Sequence, residues 1–107
     1  MTWRVRDRST FANLAIAPRR RQGAISLAWV PGENDIPPRV AYAIGRKVGG
    51  AVTRNLVRRR LKAAIARHRA YLRPGEAYLF GAGRNAATMS FAELDAAVGA
   101  LLVGSAR

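Results

Sequence analysis

From Gly45 to Lys62 the chain reads Gly-Arg-Lys-Val-Gly-Gly-Ala-Val-Thr-Arg-Asn-Leu-Val-Arg-Arg-Arg-Leu-Lys, a glycine-rich turn that runs directly into a basic segment. Its chemistry is anion binding. Gly49 and Gly50 allow backbone geometries that other residues resist, and the first turn of a following helix presents unpaired N–H groups at the positive end of its dipole. Drawn at 100° per residue, Val57, Leu61, Ala64, Ile65, His68 and Leu72 share one side of that helix, whereas Asn55, Arg58, Arg59, Lys62 and Arg69 share another. One face is core and the other is a cationic ridge.

A surface made for solubility mixes both signs of charge, but no acidic residue lies between Asp35 and Glu76. That interval carries Arg39, Arg46, Lys47, Arg54, Arg58, Arg59, Arg60, Lys62, Arg67, Arg69 and Arg73, a self-repelling set that a polyanion relieves. The formal charge of +13 and pI near 11.9 agree, and all but Lys47 and Lys62 of the nineteen cations are arginines, whose planar fork suits phosphate. The partner implied is nucleic acid.

The same sequence offers little for catalysis by side chains. It has one histidine, no cysteine, and six acids scattered at Asp7, Glu33, Asp35, Glu76, Glu93 and Asp95. His68 falls on the apolar helix face and reads as structural rather than as a general base. Glu33 with Asp35 reads as loop solvation, and Glu93 with Asp95 as partners of a helix N-terminus, not as metal ligands. Without cysteine there is neither a disulfide framework nor a thiolate metal site.

The elements that must hold the ridge follow from pattern. At 107 residues the chain is one RNA-binding domain's worth, 1–107, with no apolar run long enough to span a membrane. Its start, Met-Thr-Trp-Arg-Val-Arg, lacks the apolar core of a secretory signal, so a cytoplasmic protein is expected. Ser9 or Thr10 caps a short helix carrying Phe11, Leu14 and Ala15 and ending before Pro18. After the polar run Arg19 to Gln22, Ile25, Leu27 and Trp29 alternate with small residues as a strand. Pro31 to Pro38 is a turn-rich loop, and Val40, Tyr42 and Ile44 mark a second strand. Both strands place Ser26, Ala28, Ala41 and Ala43 on their other face, where either a single-stranded RNA could lie or the N-terminal helix could pack closely.

Beyond the basic helix, Arg73-Pro74-Gly75-Glu76 breaks the pattern, and Ala77 to Gly83 makes a short apolar strand at or beside the sheet centre. Following a strand-plus-helix unit, it is expected to pair in parallel with one of the earlier strands. Ser90-Phe91-Ala92-Glu93 is a capping box that opens a core-forming helix with Phe91, Leu94, Val98, Leu101 and Leu102.

The run Arg46-Lys47-Val48-Gly49-Gly50-Ala51-Val52-Thr53-Arg54-Asn55-Leu56-Val57-Arg58-Arg59 resembles the hallmark of the bacterial ribonuclease P protein subunit, Lys-Lys-Val-Gly-x-Ala-Val-x-Arg-Asn-Arg-x-Lys-Arg. Phe11 on a first helix, the Arg39-Val40 strand, the aromatic strand after Pro74-Gly75, and Met89-Ser90-Phe91-Ala92-Glu93 extend the resemblance along the chain. It implies an α+β fold, an αβββαβα two-layer sandwich with a four-stranded sheet and a left-handed βαβ crossover, an exception to the usual hand. It also implies a protein that helps a catalytic ribonuclease P RNA remove the 5′ leader from precursor tRNA, with Mg²⁺ bound mainly by the RNA and none by protein side chains.

Carried onto matching positions, the resemblance makes Arg46, Lys47, Arg54, Asn55, Arg58, Arg59 and Lys62 RNA contacts, and Phe11 with Ala43 part of a cleft for the leader. Three residues depart from the family pattern. Leu56 stands in place of the second arginine of Arg-Asn-Arg, Ala15 in place of a common second aromatic, and Ala28 in place of a cleft tyrosine. A structural RNA-binding protein such as a small ribosomal protein would share the charge, and a nonspecific RNA chaperone or DNA-binding helix protein would share part of it, but neither accounts for the spacing from Arg46 to Lys62.

Overall fold

The structure is a computed structural model that describes residues 3–32 and 35–105. Glu33 and Asn34, part of the expected loop, lie outside the described residues. In chain order the elements are β1 (Trp3–Arg4), α1 (Arg8–Ile16), β2 (Arg20–Gln22), β3 (Ile25–Val30), β4 (Arg39–Ile44), α2 (Ala51–Arg67), β5 (Ala77–Ala82) and α3 (Phe91–Ser105). From α1 onward this is the αβββαβα order. The two-residue β1 adds a short ribbon beside Arg39 and Val40 at one edge.

The sheet runs β1-β4-β5-β3-β2, with β5 at its centre. It is antiparallel to β3 and parallel to β4, with Arg39 beside Ala77 and Ile44 beside Ala82, as the strand-helix-strand connection requires. The basic run after Pro18 contains β2, which pairs with β3 around a tight turn in which Gly23 takes a φ of 60°. Every residue of β2 is exposed, so it carries no alternation to read. Arg20 reaches the Gly104 carbonyl at the end of α3 and stacks 5.4 Å over the Trp29 ring, a structural rather than an RNA-facing use of this cation.

Period-two alternation divides the sheet into two faces. Ile25, Leu27, Val40, Ile44, Tyr78 and Phe80 pack against Val57, Leu61, Ile65, Leu94, Val98 and Leu102 of α2 and α3, forming the two-layer body and the main core. Fully burying each such side chain contributes about 1.5–3 kcal/mol. The opposite face is partly covered by α1, whose Leu14 meets Val5, Ala41 and Ala77 in a second, smaller core. The small residues do admit the N-terminal helix over Ala28 and Ala41, both buried, but Ser26 and Ala43 lie beyond its reach.

Helix termini follow local chemistry. The cap of α1 is Asp7, not Ser9 or Thr10: its carboxylate accepts from the Thr10 N–H at 3.0 Å and from both hydroxyls. Those hydrogen bonds, Thr10 first, hold Asp7 well below the usual carboxylate range. Ala17 turns extended before Pro18. The capping box of α3 is reciprocal, with Ser90 N–H donating to Glu93 at 2.9 Å and Glu93 N–H to the Ser90 hydroxyl oxygen at 3.1 Å. Phe91, expected in the core, is exposed, because the core stripe of α3 begins only at Leu94.

Candidate nucleic-acid interface

The Gly45–Gly50 turn is anchored from below by Val48, which is buried, and closed by Val48 N–H to the Gly45 carbonyl and Gly49 N–H to the Arg46 carbonyl, both 3.1 Å. Gly49 has a φ of 151°, and a Cβ there would lie 2.9 Å from the Thr53 side chain, so conformation and space both require glycine. Gly50 caps α2 without a side-chain hydrogen bond, and the first cap-to-helix bond runs from Arg54 N–H to the Gly50 carbonyl at 2.9 Å. The first-turn N–H groups and the exposed Arg46 and Lys47 thus stand together at the positive helix end.

Along α2, the expected core stripe is buried at Val57, Leu61, Ala64 and Ile65, with Leu72 continuing it beyond the helix. His68 is structural: its ring lies over Gly99, and Nε2 is 3.4 Å from Asp95. Asp95 also takes a 3.0 Å hydrogen bond from Arg67, so this acid joins α3 to α2 rather than serving a helix N-terminus. Arg60 bonds the Met89 carbonyl at 3.2 Å and belongs to the scaffold.

The remaining cations face outward. Asn55 accepts a 2.8 Å hydrogen bond from Arg58, which preorganises that guanidinium. Arg54 keeps a buried Nε that no protein acceptor reaches. Arg58 and Lys62, one turn apart, descend beside β4 into a groove of about 360 Å³ completed by Arg4, Phe11, Ala41 and Tyr42. Because β1 pairs with β4 only through Arg39 and Val40, this part of the edge is left to the groove. Phe11 is 44% exposed there, and the half-buried Tyr42 lies under the Lys62 ammonium, 5.9 Å from its ring centre. Burial pushes the Tyr42 hydroxyl pKa up, against the charge of Arg58. Arg59 is exposed outside the groove.

Phe11 and Ala43 are not brought together in one groove. Ala43 lines a separate shallow depression with Arg19, Arg21, Ser26 and Gly81, where a Cβ at Gly81 would collide with the Ser26 hydroxyl. Of the departures, Ala28 lies beneath α1, away from any groove, while Ala15 and the half-buried Leu56 stay on helix surfaces. Arg4, whose strand pairing has no periodic signal, was not legible as part of the site, and Tyr42 was legible only as one of the bulky residues of its strand. Arg39, grouped in the sequence with the self-repelling cations, instead bonds Thr10 at 3.2 Å and the Gly75 carbonyl and pairs with Asp7 at 3.4 Å, tying α1 to β4.

Four of the acids serve the fold. Asp7 and Glu93 cap helices, Asp95 joins α2 to α3, and Glu76 accepts a 2.8 Å hydrogen bond from Tyr78, whose hydroxyl is pushed up to about 12 chiefly by burial. Among the described residues, no three of His, Asp or Glu gather where they could hold a metal ion, and no helix is long and apolar enough to cross a membrane.

A small α+β body with one helix laid bare as a cationic, groove-lined face defines a basic nucleic-acid-binding protein. A family model described as Ribonuclease P matches residues 1–104. The Ribonuclease P protein component of Streptomyces avermitilis is 36% identical over 97% of this chain and 95% of its own. That of Clavibacter michiganensis is 50% identical over a 48-residue stretch, 45% of this chain and 42% of its own. The solved Staphylococcus aureus RNase P protein superposes with a TM-score of 0.82 at 14% identity, covering 96% of this chain and 94% of that one, which supports the fold. The chain belongs to the ribonuclease P protein family, the protein subunit of a bacterial ribonucleoprotein endoribonuclease of tRNA processing.

Proposed function

We propose that this chain binds phosphates of the ribonuclease P RNA or of the precursor tRNA through Arg46, Lys47, Arg54, Asn55, Arg58, Arg59 and Lys62, and takes the single-stranded 5′ leader of precursor tRNA in the groove between Phe11 and α2, where Arg58 and Lys62 face the leader. The groove carries the reading. It joins an exposed aromatic and a half-buried tyrosine to Arg4, Arg58 and Lys62 with no acid in its lining, which suits bases stacked on rings and phosphates held by cations.

In this reading Mg²⁺ held by the RNA supplies the hydrolysis, and Asp7, Glu76, Glu93 and Asp95 are engaged in the protein's own fold. What the chain contributes is position and charge. Cations screen neighbouring phosphates so that the two RNAs approach, and the groove fixes the leader so that the scissile bond stays in register. A cytoplasmic site of action goes with it, and Ala43 with its shallow patch would meet RNA outside the main groove.

The test is the affinity of the reconstituted ribonucleoprotein for precursor tRNA against mature tRNA. Phe11→Ala and Lys62→Ala should shrink the preference for the precursor while leaving mature tRNA affinity nearly constant. A preference that survives both substitutions would remove the leader from this groove.

A further inference from the structure

The groove does not end at Lys62. Beyond the Tyr42–Lys62 pair a second depression, of about 540 Å³, opens between the end of α2 and the start of β4. Ile65 and Leu72 form its apolar floor, Pro38 and Ala66 its walls, and Lys62 and Arg69 its cationic rim. Tyr42 and Lys62 line both depressions, so the two adjoin at that pair. Among the described residues, no acid lines either one.

Three observations choose the occupant. The cations Arg58, Lys62 and Arg69 form a single file spanning about 16 Å at the helical rise, continued past the end of α2 by the turn Arg69–Tyr71. A repeated charge along a track complements a phosphate backbone. The floor beside it is apolar and wide enough for a base, the combination by which single strands are held without sequence readout. The depression also adjoins the groove to which the leader is assigned.

We propose that this second depression is a further subsite for single-stranded RNA. The leader crosses Tyr42 from the first groove and seats a nucleotide over Ile65 and Leu72, with its phosphate on Arg69. The inference rests on the leader-binding reading above. It adds that leaders long enough to pass Lys62 gain affinity from Arg69.

The experiment measures binding of precursor tRNAs with leaders of about four and about ten nucleotides to the ribonucleoprotein reconstituted with a bacterial ribonuclease P RNA. Wild-type protein, Arg58→Ala and Arg69→Ala are compared across a range of salt. Arg58→Ala should weaken both leaders. Arg69→Ala, at an exposed site that leaves the core intact, should weaken the longer leader about threefold to tenfold and lower its salt slope by about 0.7, with the shorter leader as internal reference. Equal losses on both leaders in Arg69→Ala, or no loss on either, would overturn the subsite. If Arg58→Ala is silent as well, the leader-binding reading fails with it, and the two failures are thereby told apart.

Discussion

The Lys62 ammonium stands 5.9 Å from the centre of the Tyr42 ring, so a cation of the RNA-facing helix rests on an aromatic of the sheet edge at the junction of two grooves. Neither residue is part of a local motif with the other. The relationship exists because α2 crosses the sheet face to which β4 contributes Val40, Tyr42 and Ile44.

Lys62→Ala should therefore weaken single-stranded RNA binding and lower the slope of log affinity against log salt by about 0.7, the share of one phosphate contact. Stability should hold, since the side chain is exposed. Salt titrations of oligoribonucleotide binding read the slope, and thermal unfolding reads the stability. An unchanged slope would take Lys62 off the phosphate track.

Gly49→Ala should destabilise the protein by about 1–3 kcal/mol, because the φ of 151° is a glycine conformation and the new Cβ would press on Thr53. Gly50→Ala should cost less, since Gly50 has ordinary extended geometry and open space around it. Urea unfolding of the two variants side by side checks the order. Equal costs would deny the turn its special geometry.

Tyr78→Phe removes a hydroxyl that donates to Glu76 at 2.8 Å and accepts from the Arg73 N–H at 2.9 Å, in the turn leading to the central strand. A loss of about 1–3 kcal/mol is expected, with RNA affinity preserved at temperatures where the variant is folded. Chemical denaturation and RNA binding on the same samples separate the two effects.

Much of the architecture was legible because its signals are local. The periodicity of β3, β4 and β5, the Pro74-Gly75 break, and the Ser90–Glu93 box each state their element in a few residues. The exposed Arg20–Gln22 strand has no buried face and so no pattern. Asp7 took the α1 cap expected at Ser9 or Thr10 because its carboxylate gathers the Thr10 N–H and both hydroxyls at once. The cationic residues of α2 were legible as a ridge, but their groove was not. It depends on where β1 stops pairing and where α1 sets Phe11, and both are tertiary facts.

The depressed pKa of Asp7 has a pH consequence. A carboxylate held below its unfolded value of about 3.9 stabilises the fold fully above that value, and the contribution disappears as pH falls through the folded value. Acid unfolding below about pH 4 should thus be less steep in Asp7→Asn, which retains a cap but cannot titrate. Glu93, lowered by its hydrogen bonds with Ser90, acts in the same sense and remains in the variant. Identical acid profiles would contradict the role given to Asp7.

The central claim is that the protein supplies charge and position to an RNA that carries the chemistry. It is tested most directly by cleavage of precursor tRNA by a bacterial ribonuclease P RNA across a Mg²⁺ series, with and without this chain. The account predicts that the protein moves the requirement from high to near-physiological Mg²⁺ and that cleavage falls at the mature 5′ end. A Mg²⁺ dependence left unchanged by folded, RNA-binding protein would contradict it.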